Sequence, residues 1–232
     1  MQNQSAVSNQ TAPTRFLDVG KERYAYRRFG AGQAPPLLCL QHFTGTLDNW
    51  DPAVTDPLAG EREVILFESA GIGRSSGSVP NTIAGMASHA LAFLDGLGIR
   101  TCDVLGFSLG GMVAQQMALE RPSTLRRMML VGTAPRGGED IMHLEKPSLA
   151  KFLNDPSLQG YAILQKIFFT LSEASRRQAG RSSKDSCNAA RIASPSQGRR
   201  WPTRKWPPFV IGNKFQASVS QTSRKFTTRL SW

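Results

Sequence analysis

The chain has 232 residues, 40% of them hydrophobic, which suits one α/β domain with a sizeable core and is short for two domains. A net charge of +11 would normally indicate an anionic partner. However, residues 1–172 carry 15 basic and 15 acidic side chains, so residues 173–232 hold the whole excess. The neutral part of the chain therefore gives no electrostatic evidence for a nucleic-acid-binding domain.

The three cysteines, Cys39, Cys102 and Cys187, form no paired spacing, which excludes a zinc motif and a disulfide framework. No stretch approaches 18 consecutive apolar residues, and the polar N-terminus lacks an apolar signal segment. We therefore expect a cytoplasmic protein with no membrane span, no metal and no cofactor. The sequence does not indicate an oligomeric state.

The predicted elements begin after a polar, aperiodic segment over residues 1–14, which we expect to be flexible. Residues 15–20 and 22–30 resemble a β-hairpin. Two continuous apolar runs, at residues 36–41 and 62–68, are typical of strands buried on both faces.

A helix follows over residues 82–97, where apolar residues recur at three- and four-residue steps. Residues 103–107 predict another buried strand, residues 109–120 an amphipathic helix that ends before Pro122, and residues 127–132 a further strand. Strands that alternate with helices favour an α/β fold, with a parallel sheet and right-handed crossovers.

The pattern weakens after Pro135. Residues 136–172 predict one or two helices, whereas residues 173–232 are rich in Ser, Arg, Lys and Pro and have no sustained period. Residues 209–211 are the only strand candidate in this basic, irregular tail.

The sequence Gly106-Phe107-Ser108-Leu109-Gly110 joins a predicted strand to a predicted helix. A G-x-S-x-G turn at such a junction is typical of a nucleophilic serine held in a strained conformation. Gly106 and Gly110 are required because the strand and helix backbones approach closely there. The helix N-terminus also favours a developing oxyanion, so the backbone N–H of Leu109 is a candidate oxyanion donor. The second candidate is the backbone N–H of Phe43, in the loop after an earlier predicted strand.

Three segments then carry a family resemblance: QHFTG (41–45), FESAGIGRSSG (67–77) and GFSLGG (106–111). They resemble the motifs of the α/β-hydrolase fold family, in the branch of small serine esterases and cofactor-free haloperoxidase-like enzymes. The resemblance covers about residues 15–172 and implies a core over 15–135 and the start of a cap over 136–172. It implies hydrolysis of an ester-like acyl bond of a small molecule, with Ser108 as the nucleophile.

The same family places an acid and a histidine after its last two strands, and this chain has no histidine beyond His143. His42 aligns with a glycine of the family, which favours a role in loop packing. With a rotation of 100° per residue around the helix axis, His89 lies about 130° away from the centre of the apolar stripe of its helix. This angle predicts a solvated surface position. The remaining candidate is a rewired pair in which His143 is the base and Asp140, or alternatively Glu139, is the orienting acid.

Residues 173–232 lack the family's last strands, so we expect the fold to be truncated before them. We expect the tail to be disordered or translated out of frame. Two alternatives are a basic arm that binds nucleic acid or anionic surfaces and a small separate domain. The hydrolase would then be inactive or crippled, or a non-catalytic remnant. The truncation also predicts an exposed apolar sheet edge at residues 127–132 and poor solubility.

Overall fold

The computed structural model describes residues 8–42, 45–135, 172–175, 177 and 180. Six strands form one mixed sheet in the order β1-β2-β4-β3-β5-β6. The first two strands form the predicted antiparallel hairpin, and β2 is also antiparallel to β4, whereas β3, β4, β5 and β6 run parallel. The strands span β1 Arg15–Val19, β2 Glu22–Phe29, β3 Ala34–Leu40, β4 Arg62–Phe67, β5 Cys102–Phe107 and β6 Leu125–Val131.

Within residues 45–135, three α-helices flank this sheet: α1 Pro52–Ala59, α2 Ile83–Gly96 and α3 Leu109–Glu120. The second and third match the predicted helices. The hydroxyl of Thr82 caps α2 by accepting a hydrogen bond from the Gly85 N–H over 3.0 Å. The sequence analysis missed α1, which has only eight residues and too few apolar positions to show a helical period.

The central strands β3, β4 and β5 are mostly apolar because both faces of the sheet are covered there. Alternate residues of β3, β4 and β5 pack into different clusters. Leu38, Ile65 and Val104 lie in the cluster that includes buried residues of α2 and α3. Their neighbours Leu37, Val64 and Leu105 lie in the cluster on the other face, which includes Ala59 of α1. This alternation, with the parallel pairing of β3 to β6, confirms an α/β fold in which helices cover both faces of a mostly parallel sheet.

The described part of the N-terminal segment differs from its prediction as a flexible terminus. Asn9 is 2% exposed, and its side-chain amide donates to the Trp50 carbonyl over 2.9 Å and accepts from Arg27 over 3.1 Å. Ala12 is also buried. A polar, aperiodic sequence gave no sign of these contacts because their partners lie elsewhere in the chain.

In the tail, residues 173–175 are helical, although residues 173–232 were predicted to be irregular. The strand candidate at residues 209–211 and nearly all of the predicted disordered or out-of-frame segment lie outside the described residues. No helix in the described ranges is long and apolar enough to cross a membrane.

The last strand in the sheet order, β6, exposes its apolar side chains. Met128, Met129, Leu130 and Val131 are 39–49% exposed, whereas Cys102–Gly106 of the neighbouring β5 are buried and Phe107 is partly buried. Among the strands that the structure describes, β6 is therefore the last in the sheet, and its apolar side chains are exposed as predicted.

Candidate active site

Ser108 occupies the turn between β5 and α3. Its backbone has φ 54° and ψ −119°, and it is the one non-glycine residue with positive φ among the described residues. This region of backbone space costs an L-residue on the order of 1–3 kcal/mol, so the surrounding packing must hold it. The strained conformation is the one that a nucleophile turn needs in order to project its side chain above the sheet.

Two glycines permit this turn. A Cβ on Gly110 would lie 2.2 Å from the Leu40 carbonyl oxygen, and a Cβ on Gly106 would lie 2.6 Å from the Gly110 oxygen and from the Gly111 Cα. These are backbone atoms, which cannot move aside as a flexible side chain can. The close approach of strand and helix that the G-x-S-x-G pattern requires is therefore present at both positions.

The backbone N–H groups of the turn differ in availability. The N–H of Ser108 donates to the Val131 carbonyl of β6 over 2.9 Å, so it is already occupied. Leu109 is the first residue of α3, and its N–H has no partner within the helix. The dipole of the 12-residue helix adds a partial positive charge at the same place. The first N–H free to bind an oxyanion is thus that of Leu109.

The Ser108 side chain is half-buried, and its hydroxyl makes no hydrogen bond with any residue that the structure describes. A serine hydroxyl is a weak nucleophile unless a neighbouring base accepts its proton. Within the described ranges, no side chain occupies that position.

His42 lies in the loop after β3. Its ring packs edge-on against Phe107 with the ring centroids 5.9 Å apart, and its backbone N–H donates to Gln41 Oε1 over 2.9 Å. Burial lowers the pKa of His42 below its usual value of 6.5, which keeps the imidazole neutral at pH 7. These contacts agree with the expected packing of His42 in its loop.

A small cleft lies beside the start of α3. Leu109 and Gly110 line it together with His42 and Gln41. Its other walls are mostly apolar, a character that suits the hydrophobic part of a small ligand. The apolar lining residues are Leu40, Phe67, Ile72, Val79, Met86 and Val113.

A buried carboxylate joins two loops at this edge of the sheet. Glu68 follows β4 and accepts hydrogen bonds from the N–H of Leu47 over 3.1 Å and from the N–H of Arg74 over 2.6 Å. The guanidinium of Arg74 lies 3.5 Å from the same carboxylate. Burial raises the pKa of Glu68, and these donors act against that rise. Glu68 thereby fixes the loop after β3 to the turn after β4.

His89 is not the solvated surface residue that its helical position predicted. It is half-buried, and its Nδ1 shares a short hydrogen bond with the hydroxyl of Tyr24 on β2. The two rings meet nearly at right angles, 5.9 Å apart. The angular position within α2 could not reveal this contact because it depends on how α2 lies over the sheet.

The structure brings Ser108, Leu109, Gly106 and Gly110 together at one turn, as their adjacency requires. The other predicted site residues, Phe43, His143 and Asp140, lie outside the described residues. Among the described residues, no group of three or more His, Cys, Asp or Glu side chains could hold a metal ion.

Two features near the turn were not predicted. One is the Val131 carbonyl that accepts from the Ser108 N–H. The other is Thr133, whose buried hydroxyl has no hydrogen-bond partner among the described residues and which lies where a Cβ on Gly111 would clash. Neither carries a sequence signal, because a backbone carbonyl is present in every residue and a threonine after a strand is common.

Comparison with known proteins places these features in a family. The sequence profile described as "alpha/beta hydrolase fold" matches residues 35–194, which extends past residue 172, where the recognisable motifs end. An alpha/beta hydrolase fold protein from Chitinophaga pinensis superposes with a TM-score of 0.72 at 42% identity, over 78% of this chain and 65% of that protein.

Two relatives match over shorter segments. The dihydrolipoyllysine-residue acetyltransferase component of the acetoin cleaving system from Cupriavidus necator is 38% identical over 52% of this chain. The proposed carbamate hydrolase RutD from Pseudomonas savastanoi pv. phaseolicola is 35% identical over 41% of this chain. The matches span 32% and 38% of the two relatives' own lengths.

Proposed function

Because the chain belongs to the α/β hydrolase fold family, we propose that it is built as a serine hydrolase that cleaves an ester-like acyl bond of a small molecule. The observation that carries this proposal is the conformation of Ser108, with φ 54° and ψ −119° at the junction of β5 and α3. A protein has little reason to maintain a strained serine at a helix N-terminus unless its hydroxyl must project into a site.

In the proposed reaction, Ser108 Oγ attacks the carbonyl carbon of the substrate and forms a tetrahedral intermediate. The resulting oxyanion accepts hydrogen bonds from the N–H of Leu109 and, by the family resemblance, from that of Phe43. The intermediate collapses to acyl-Ser108 as the alcohol leaves with a proton, and water then releases the acid. A perhydrolase or haloperoxidase-like activity could use the same site.

The proton of Ser108 requires an acceptor, and His143 oriented by Asp140 is the candidate pair that the sequence offers. The family's usual histidine and acid have no counterpart in the sequence, so we expect slow acylation and poor turnover. The names of the two curated relatives refer to acetyl transfer and carbamate hydrolysis, which supports a carbonyl substrate without specifying it.

A fluorophosphonate probe tests the proposal on the full chain. The probe phosphonylates activated serines, and mass spectrometry of the intact protein and of its peptides locates the label. We expect one label, on Ser108, which is lost in Ser108→Ala. Ser123→Ala is the matched control, since Ser123 is an exposed serine that should not react.

A folded chain that takes up no label would contradict the proposal and favour a non-catalytic remnant. Hydrolysis of p-nitrophenyl acetate that is equal in the parent and in Ser108→Ala would show that Ser108 is not the nucleophile. The alternative of a basic arm predicts binding to single-stranded DNA or anionic vesicles that falls steeply with salt and disappears when residues 173–232 are deleted.

A further inference from the structure

The β3 loop, which comprises residues 41–42 and 45–50, lies against the start of α3. A Cβ on Gly110 would lie 2.8 Å from the carbonyl oxygen of the loop's first residue, so the loop leaves β3 in close contact with the helix. His42 of the same loop lines the cleft together with Leu109. The position of the β3 loop therefore helps to set the shape of the cleft beside the Leu109 N–H.

The second half of the β3 loop is tied down by the carboxylate of Asp48. One of its oxygens accepts a hydrogen bond from Arg27 over 2.5 Å, and the other accepts one from Arg74 over 3.2 Å. Arg27 belongs to β2, and Arg74 belongs to the turn after β4. The side chains of Arg27 and Asp48 are 1% and 13% exposed, so this pair is largely shielded from water. Asp48 thus joins the loop to two separate segments of the chain.

The ion pairs continue to a second carboxylate. The Arg74 guanidinium lies 3.5 Å from that of Glu68, which is 0% exposed and accepts from the Leu47 N–H of the β3 loop over 3.1 Å. Positive and negative charges therefore alternate, which is how buried charges are stabilised, since removing one partner leaves the other uncompensated. We define the loop network as these four residues: Arg27, Asp48, Arg74 and Glu68.

We propose that Asp48 is a positioning residue for the reaction at Ser108, because it holds the β3 loop, and with it His42, in place beside the Leu109 N–H. The inference rests on the proposed function, since it assigns Asp48 a part in the chemistry of Ser108. A misplacement of about 1 Å that originates far from the reacting atoms can lower a rate by about a hundredfold. A loop held by two ion pairs is protected against such a displacement.

The geometry explains why position 48 requires a carboxylate. Each oxygen of Asp48 accepts from a different guanidinium. A carboxamide has one acceptor oxygen, and its NH2 group would face the N–H groups of the second arginine. Asp48→Asn therefore keeps the size of the side chain but releases the loop from one of its two attachments.

Asp103 provides the matched control. Like Asp48, it accepts hydrogen bonds from two arginines, Arg62 over 2.5 Å and Arg126 over 2.6 and 2.9 Å, and it is 2% exposed. It stands near the start of β5, whereas Ser108 follows the end of the same strand. Asp103→Asn breaks a comparable network without a connection to the β3 loop, so it reports the effect of lost stability alone.

The rate of fluorophosphonate labelling at Ser108 tests the role in the full chain. Labelling is followed by mass spectrometry at several probe concentrations, below the unfolding transition of every variant. At saturating probe we expect the rate constant of Asp48→Asn to fall at least about tenfold and that of Asp103→Asn to stay within about twofold of the parent. Reduced stability alone leaves the rate constant of the folded population unchanged.

A second pair of variants repeats the comparison at partly exposed positions. The side chains of Arg74 and Arg126 are 32% and 36% exposed, so neither substitution buries a new unpaired group. Arg74→Gln should slow labelling, and Arg126→Gln should not. Hydrogen exchange followed by mass spectrometry reads the loop directly: residues 45–50 should exchange faster in Asp48→Asn and Arg74→Gln than in the parent and the two controls.

The two readouts separate the positioning role from the proposed function. A parent chain that takes up no label would overturn the proposed function and the positioning role with it. If the parent is labelled, equal rate constants in Asp48→Asn and Asp103→Asn would overturn the positioning role alone. Unchanged exchange at residues 45–50 in Asp48→Asn would also overturn it, whatever the labelling of Ser108.

Discussion

The N–H of Ser108 donates a hydrogen bond to the carbonyl oxygen of Val131 over 2.9 Å. This bond joins the strained turn after β5 to the end of the exposed strand β6. It removes one candidate oxyanion donor and leaves the N–H of Leu109 as the first available one. It also makes the geometry of Ser108 depend on the position of β6.

The strain at Ser108 predicts an unusual order of stabilities. Ser108→Gly should be more stable than Ser108→Ala by about 1 kcal/mol, because glycine adopts positive φ freely and the gain exceeds its entropy cost. Both variants should lose probe labelling. Urea unfolding measures the difference, and an equal or higher stability of Ser108→Ala would show that the turn stores no strain.

The close contact at Gly110 predicts a large effect of one methyl group. Gly110→Ala should destabilise the protein by about 3 kcal/mol, since its Cβ would lie 2.2 Å from the Leu40 oxygen and 2.5 Å from the Leu40 carbonyl carbon. Gly60→Ala is the matched control, because Gly60 has φ −67° and its Cβ would approach Pro57 only to 3.3 Å. The control should change the unfolding free energy by less than about 1 kcal/mol. Similar effects of the two variants would contradict the geometry.

We expect Asp103 on β5 to cause part of the protein's loss of stability at low pH. Burial alone would raise the pKa of Asp103, but hydrogen bonds from Arg126 and Arg62 outweigh it and hold the pKa below 3.8. Because the pKa of Asp103 is lower in the folded state than in the unfolded state, Asp103 contributes stability at pH values above the unfolded pKa. This contribution is lost as the pH falls through the folded pKa. Asp103→Asn should therefore be less stable at pH 7 and show a flatter stability profile below about pH 4.

The comparison variant for this acid profile is Asp95→Asn. Asp95 pairs with Arg121 on the surface, where their side chains are 54% and 41% exposed. Exposed pairs contribute little, so this variant should keep the parent's acid slope. Urea unfolding across the acid range distinguishes the two, and a parental slope in Asp103→Asn would refute the role of Asp103.

We expect Tyr24 to cause part of the protein's loss of stability at high pH. Burial, followed by the charge of Glu22, raises the pKa of Tyr24 from 10 to about 12. Because the pKa of Tyr24 is higher in the folded state than in the unfolded state, Tyr24 contributes stability that is fully present below the unfolded pKa near 10. This contribution is lost as the pH rises towards 12. Tyr24→Phe should flatten the stability profile in this window, whereas Tyr26→Phe, which retains the buried Tyr24 hydroxyl, should not. If the two variants have the same alkaline slope, Tyr24 does not titrate as a buried group.

The sequence by itself determined the features that depend on near neighbours in the chain. Continuous apolar runs predicted the positions of four strands, because burial on both faces leaves no polar alternation, and the remaining two strands were predicted as a hairpin. The helical stripe of α2 and the G-x-S-x-G turn were equally local, since both the period of a helix and the two close glycine contacts are properties of adjacent residues.

Only the tertiary structure decided which distant groups meet. The sequence placed His89 in solvent, whereas the packing of α2 on the sheet brings it to Tyr24. Asn9 belongs to a polar segment, yet Arg27 and Trp50 bury it. The partner of the Ser108 N–H follows from the pairing of β5 with β6. These relations join residues far apart in the chain, and their energies depend on where the chain folds back, which no local pattern of residues encodes.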